Sequence, residues 1–98
     1  MQMKQGGHVY ILTNKHNKVF YTGVTSNLSG RLIQHKQGLH QDSFSKRYHV
    51  TKLVYIEEFD RIEDAIAREK QLKAGSRQRK IDLIEKFNPE WKDLSVGL

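Results

Sequence analysis

The stretch HVYILTNKHNKVFYTGVTSNLSGRLIQH, residues 8–35, decides how this chain folds. It opens on HVYIL (8–12), a β-branched and aromatic run, passes through the turn-forming TNKHNK, and reaches VFYTG (19–23), a second such run. Two such runs joined by turn residues predict a β-hairpin. Period-two alternation puts Val9 and Ile11 on one face and His8, Tyr10 and Leu12 on the other, while Val19, Tyr21 and Gly23 share a face of the second strand. Gly23 has no side chain, so another group can come close to the backbone there. Thr25, Ser26 or Asn27 can cap a following helix that runs to about Gln37 and stops at Gly38. Leu28 and Leu32 form its buried seam, and Arg31 and His35 lie on the border of that seam, in reach of a cleft over the sheet. Gly30 inside the helix costs about 1 kcal/mol relative to alanine, which points to close packing or approach.

Working outward, residues 1–7 read as a flexible, polar tail, and residues 38–51 as a loop without a clean period. In that loop Lys46, Arg47 and Tyr48 combine phosphate donors with a stackable ring, a pattern for nucleic-acid contact or for an ordinary polar loop. KLVYIEEF (52–59) is a third strand. Asp60 followed by Glu63 predicts a capping box at the start of a helix that ends at Gly75, with a seam of Ile62, Ala65, Ile66 and Leu72. The position missing from that 3-4 pattern is Glu69, which lies about 20° from the centre of the seam on an ideal helix. An inward carboxylate is costly unless it is paired, holds a metal or faces a polar cavity. A salt bridge to Arg31 or a place where the seam meets solvent would also explain it. Around it, Arg68, Lys70, Lys73, Arg77, Arg79 and Lys80 form a basic cluster that favours phosphate binding. Ser76 can cap a third helix carrying Ile81, Leu83, Ile84 and Phe87 inward, and Asn88–Pro89 ends it, with Asn88 able to cap a terminal turn that Trp91 packs on the core. The body of the domain is expected over residues 8–94, with residues 95–98 as a second tail.

Ninety-eight residues suffice for one core and no more. The absence of cysteine removes disulfides and thiolate metal sites and fits a cytoplasmic setting. No apolar run approaches a membrane span. The formal charge is +6, and residues 1–41 contain no Asp or Glu, so almost all of the excess sits in the first two-fifths of the chain. Such an imbalance favours a polyanionic partner. The histidines lack the paired spacing of a zinc helix, and no glycine-rich phosphate loop or nucleophile elbow is present.

The ordered set Tyr10, Tyr21, Arg31, His35 and Glu69 resembles the GIY-YIG endonucleases, in particular the small stand-alone domains related to the nuclease region of the excision-repair protein UvrC. HVY is similar to the GIY element, and YTG to the YIG element eleven residues later. SNLSGRLIQH resembles the helix with the family arginine and histidine, AREKQLK the helix with the metal-binding glutamate, and KIDLIEKFNPEWKDL the C-terminal segment. His8 and Thr22 depart from the name motif, at positions that need not do chemistry. The resemblance implies an α+β fold, a small three-stranded antiparallel sheet flanked by about three helices. It implies hydrolysis of phosphodiester bonds in DNA, RNA not being excluded, with one divalent cation, Mg²⁺ or Mn²⁺, held by Glu69. A single carboxylate plus water suits such a hard ion. Arg31 would offset negative charge on phosphorus, and a tyrosine, Tyr10 before Tyr21, would orient or deprotonate water. A tyrosine of ordinary pKa near 10 needs help to act as a base at neutral pH. His35 would position Tyr21, contact phosphate or assist proton transfer. Asn88 is carried over alongside its capping role, and Lys70, Lys73 and Arg77 join Lys46, Arg47 and Tyr48 as nucleic-acid contacts. The competing readings are a nucleic-acid-binding module that does not cleave, and a plain interaction domain in which the tyrosines pack and Glu69 forms a salt bridge. Weak sequence preference, with single-stranded or branched DNA as substrate and repair as setting, is the corresponding expectation. The geometric expectation is that Glu69 lies over the hairpin face that carries Tyr10, near Arg31.

Overall fold

A central strand buried on both faces organises the molecule. The computed structural model describes residues 6–37 and 49–96, apart from the side chains of residues 35–37. Its elements run β1 (Gly7–Thr13), β2 (Phe20–Thr25), α1 (Leu28–Gln37), β3 (Lys52–Phe59), α2 (Ile62–Ala74) and α3 (Arg77–Phe87). The sheet order is β2-β1-β3 and both pairings are antiparallel, so the fold is α+β as the sequence leads one to expect. Because β1 is central, its residues from Val9 to Leu12 are fully buried whichever way they point.

The alternation read from the hairpin sorts the core into two layers. Val9 and Ile11 pack with Val54, Tyr55, Ala65 and Leu72 of α2 and Ile84 of α3. Tyr10 and Leu12 pack on the other side with Leu53, Val50 and the α1 residues Leu28 and Leu32. A bulge between Ile11 and Leu12 leaves Val54 without a partner on β1. The sheet is therefore sandwiched, α1 on one face and α2 with α3 on the other.

Local signals set most of the boundaries. Asn14 closes the hairpin loop by accepting from the Lys18 amide at 2.8 Å and the Val19 amide at 3.3 Å, and Asn17 takes the left-handed conformation (φ 58°) that asparagine tolerates. Asn27 caps α1 by accepting from the Gly30 amide at 3.2 Å, and its side chain occupies the space that a Cβ on residue 30 would need. Ser76 caps α3 by accepting from the Arg79 amide at 3.1 Å.

Four readings change. Gly7 belongs to β1 rather than to a tail: it has no Cβ to hold α2 away, and Ile62 and Ala65 pack directly over it. The capping box at Asp60 does not form, because Arg61 takes the cap position in extended conformation and Glu63 pairs with Arg61 at 3.6 Å instead. Ile66 is 38% exposed, since the stripe that meets the sheet runs Ala65, Glu69, Leu72 and leaves position 66 on its flank. Phe87 is 52% exposed and meets the core through an edge contact with Tyr55, ring centroids 5.2 Å apart.

Asn88 is 5% exposed and joins the last helix to the sheet. Its side-chain amide donates to the carbonyls of Val54 at 3.3 Å and Lys92 at 2.9 Å, and its oxygen accepts from the Lys92 amide at 3.1 Å. Together with Asp93, which accepts from the Leu53 amide, and the Leu94 amide, which donates to the Leu53 carbonyl, it covers the outer edge of β3. The capping role of Asn88 is the one this geometry displays. Asn88→Ala is expected to cost about 1–3 kcal/mol by stranding buried polar groups, while cleavage per folded molecule stays at the wild-type level. Thermal melting alongside a rate corrected for folded fraction checks this; a rate loss without a melting shift would put Asn88 in the chemistry.

Candidate active site at the edge of strand β2

Tyr10 and Gly23 are direct partners across the β1–β2 ladder. The Tyr10 ring lies over the glycine: a Cβ on residue 23 would sit 2.5 Å from both Cζ and Oη of Tyr10. The phenol is thereby carried from the central strand across to β2. Tyr21, on the same face, stands with its ring centroid 6.3 Å from that of Tyr10, tilted by 36°. Tyr10 is fully buried and Tyr21 half-buried. Arg31 is half-buried on α1, between the core residues Leu28 and Leu32, which places it on the face that carries the tyrosines. The backbone of His35 lies one turn further along α1; its side chain is outside the described residues, as are Lys46, Arg47 and Tyr48.

Glu69 arrives from the other direction. It sits between Ala65 and Leu72 on α2, so it points at the sheet, and its side chain is only 14% exposed. The helix that carries it covers the Val9 and Ile11 face, not the Tyr10 face, so the expected position over the tyrosines is corrected. Side chains alternate along β1, and α1 already fills the Tyr10 side. Glu69 and the tyrosines are thus on opposite faces of the sheet, and the outer edge of β2 is one place where groups from the two faces can approach each other.

A cavity marks that edge. It is a shallow, open depression of about 340 Å³ lined by Phe20, Tyr21 and Thr22 of β2 together with Lys73 of α2 and Lys80 of α3. Lys73 holds Glu69 in an i,i+4 ion pair with an N–O distance of 2.8 Å. Tyr21 and the partner of Glu69 therefore wall the same space. Arg77 stands with its guanidinium 4.5 Å from the centre of the Phe20 ring, and Phe20 stacks on Trp91 with centroids 5.9 Å apart. Lys70 is exposed on α2. Lys80 belongs to the basic cluster read from the sequence, whereas Phe20 and Thr22 have no sequence signal for the site beyond their place beside Tyr21.

Behind α2, Tyr55 donates to Glu57 at 2.6 Å, and Arg68 donates to the same carboxylate oxygen at 3.2 Å. Burial, reinforced by that hydrogen bond and the carboxylate charge, pushes the Tyr55 phenol up to about 12. Burial works against the Arg68 charge, but Glu57 outweighs it and raises the guanidinium above its ordinary value. This trio ties β3 to α2 and so fixes the helix on which Glu69 rides.

Among the described residues no group of three or more His, Cys, Asp and Glu side chains gathers, so the donor set here is one carboxylate. One carboxylate at a partly open edge fits a hydrated Mg²⁺ or Mn²⁺, which retains most of its water, and does not fit a dehydrated ion such as structural Zn²⁺.

The family model of the GIY-YIG catalytic domain matches residues 6–82. The chain is 40% identical to a UPF0213 protein of Syntrophus aciditrophicus over 85% of this chain and 93% of that one. It is 37% identical to a UPF0213 protein of Staphylococcus haemolyticus over 80% of this chain and 93% of that one. The solution NMR structure of a UPF0213 protein from Bacillus halodurans superposes with a TM-score of 0.55 at 26% identity, covering 90% of this chain and 92% of that one.

Proposed function

This chain belongs to the family of the GIY-YIG catalytic domain, and from that premise we propose that it is a metal-dependent endonuclease that hydrolyses phosphodiester bonds in DNA. Family membership supports a nuclease-like function. The observation that carries this reading is Glu69, an inward carboxylate whose ion-pair partner Lys73 lines a cavity together with Tyr21 and Lys80.

In this reading Glu69 holds the divalent cation. When bound, the ion supplies Lewis-acid stabilisation of the leaving oxygen. Arg31 offsets negative charge that builds on the phosphorus. The tyrosine that meets the attacking water is Tyr21, because it is half-buried and lines the cavity, whereas Tyr10 is fully enclosed and sets the position of its neighbour. That reverses the order the family resemblance implies. Lys73, Lys80 and Arg77 bring positive charge to the edge along which a strand would lie, with Lys70 exposed nearby. His35 and the loop residues Lys46, Arg47 and Tyr48 are further contacts in the same proposal, with single-stranded or branched DNA as the favoured form.

One observation favours the alternative of a nucleic-acid-binding module that does not cleave: Lys73 already neutralises the carboxylate. The magnitude argues against it. A helical i,i+4 pair with its lysine 55% exposed is worth only about 0.3–0.5 kcal/mol, which a divalent ion overcomes. Lys73→Met is therefore expected to tighten Mn²⁺ binding by about twofold, read by titrating the free-ion EPR signal. Weaker binding in the variant would show that Lys73 supports the ion's site instead of competing for it. The function itself is tested by incubating the protein with single-stranded, duplex and branched DNA and with RNA, in Mg²⁺, Mn²⁺ or EDTA. Cleavage that EDTA abolishes is the expected result; salt-sensitive binding without cutting in any metal would establish the alternative.

A further inference from the structure

Between α2 and α3 lies a second cavity, of about 200 Å³, that neither the fold nor the proposed chemistry requires. The two helices are joined by Gly75 and Ser76 alone, and their divergence opens a crevice with Leu72 and Leu83 in its lining. Three cations line it, Arg68 from α2 and Arg79 and Lys80 from α3. One carboxylate, Glu57, pairs with Arg68, and among the described residues no acid forms an ion pair with Arg79 or Lys80. The first turn of α3 holds no acidic residue either.

Two of the cations are held in place before any ligand arrives. Arg68 uses Nε on Glu57 and Nη1 on Gln71, which fixes the plane of its guanidinium and leaves other N–H groups uncommitted by those bonds. Lys80 donates to the Gly75 carbonyl at 3.0 Å, using one of three ammonium donors. The space is smaller than the roughly 300–1,000 Å³ of pockets that enclose drug-sized ligands, so it suits a phosphate group more than a whole nucleotide. Lys80 also lines the cavity at the β2 edge, so the two cavities adjoin across one side chain.

We propose that the α2–α3 crevice binds a backbone phosphate of the nucleic-acid strand next to the segment held at the β2 edge, with Arg68, Arg79 and Lys80 as its donors. The strand then runs from the β2 edge past Lys80 and over the two-residue junction. This rests on the nucleic-acid reading above but not on cleavage, so it is tested in EDTA, where no cutting occurs.

The experiment measures fluorescence anisotropy of a labelled oligothymidylate over a salt series, for the wild type and for Arg79→Ala, Arg79→Lys and Lys86→Ala. Arg79 and Lys86 are both exposed, so the substitutions spare the core. Arg79→Ala is expected to weaken binding several-fold and to lower the slope of log affinity against log salt by about 0.7, the value for one single-strand phosphate contact. Arg79→Lys should restore the slope, and Lys86→Ala, outside the crevice, should not change it. Equal effects of Arg79→Ala and Lys86→Ala would reduce the crevice to general surface charge and overturn the proposal. So would an NMR titration in which inorganic phosphate shifts the Gly75, Ser76 and Arg79 amides while the oligonucleotide does not displace it, which would mark a free-anion site. A protein that binds as expected but never cuts would leave the crevice standing and remove only the nuclease reading.

Discussion

Glu69→Gln and Arg31→Ala are each expected to slow DNA cleavage by about 10²–10³-fold under single-turnover conditions, the usual loss when one group that stabilises transition-state charge is removed. Glu69→Gln keeps the shape of the side chain and removes its charge, so the stripe from Ala65 to Leu72 stays packed while the cation loses its carboxylate and Lys73 its partner. Loss of an i,i+4 pair whose lysine is 55% exposed costs about 0.5 kcal/mol, and the isosteric amide keeps the packing, so the fold survives and the rate reports on chemistry. Arg31 lies on α1 and Glu69 on α2, on opposite faces of the sheet. If both serve one reaction, the double variant should be barely slower than the worse single one, because groups that act as a unit lose their effects together. Wild-type rates in both single variants would mean that the β2 edge is not the active site. Additive losses would mean that the two faces serve separate steps.

The second large effect is on stability and follows from the Tyr10 ring over Gly23. Gly23→Ala introduces a methyl group 2.5 Å from Cζ and Oη of a side chain with no exposed surface. Tyr10 has α1 and Leu32 on its side of the sheet and cannot swing clear. Overpacking of this kind costs about 1–3 kcal/mol, and in a domain of this size each kcal/mol lowers Tm by about 4–8 °C. Tyr10→Leu in the Gly23→Ala background should then destabilise less than Tyr10→Leu alone, since it removes the clashing atoms. Calorimetric melting of the four proteins closes the cycle. A Gly23→Ala variant that melts with the wild type would mean that the phenol does not cross the glycine, and the placement of Tyr10 at the β2 edge would fall with it.

Much of this architecture is legible from local pattern. β3 spans Lys52–Phe59, the run read as a strand from KLVYIEEF, and Ser76 caps the last helix as its spacing suggests. The misreadings share a cause. Asp60 has the right chemistry for a cap but stands one residue before the place where the chain turns, and Arg61 takes the position without a side-chain bond. Ile66 and Phe87 are apolar residues at plausible periods, yet the sheet meets each helix along a narrower stripe than hydrophobicity alone outlines. Gly7 has no side chain to mark it as strand, and the reason for its place is the helix that its missing side chain admits.

Period and nearest neighbours alone account for the hairpin, the alternation that separates Tyr10 from Val9, the caps at Asn27 and Ser76, and the inward aim of Glu69. These are properties of single elements, set by backbone geometry at 3.6 or 2 residues per repeat. Which face of the sheet each helix covers is set by packing between elements far apart in the chain. Periodicity says that a helix has an inner side but not against which side of a strand it lies, and β1 offers an apolar layer on both. That choice puts Glu69 and the tyrosines on opposite faces, leaves Tyr21 and Lys73, the partner of Glu69, lining one cavity at the β2 edge, and lets Lys80 stand between two cavities.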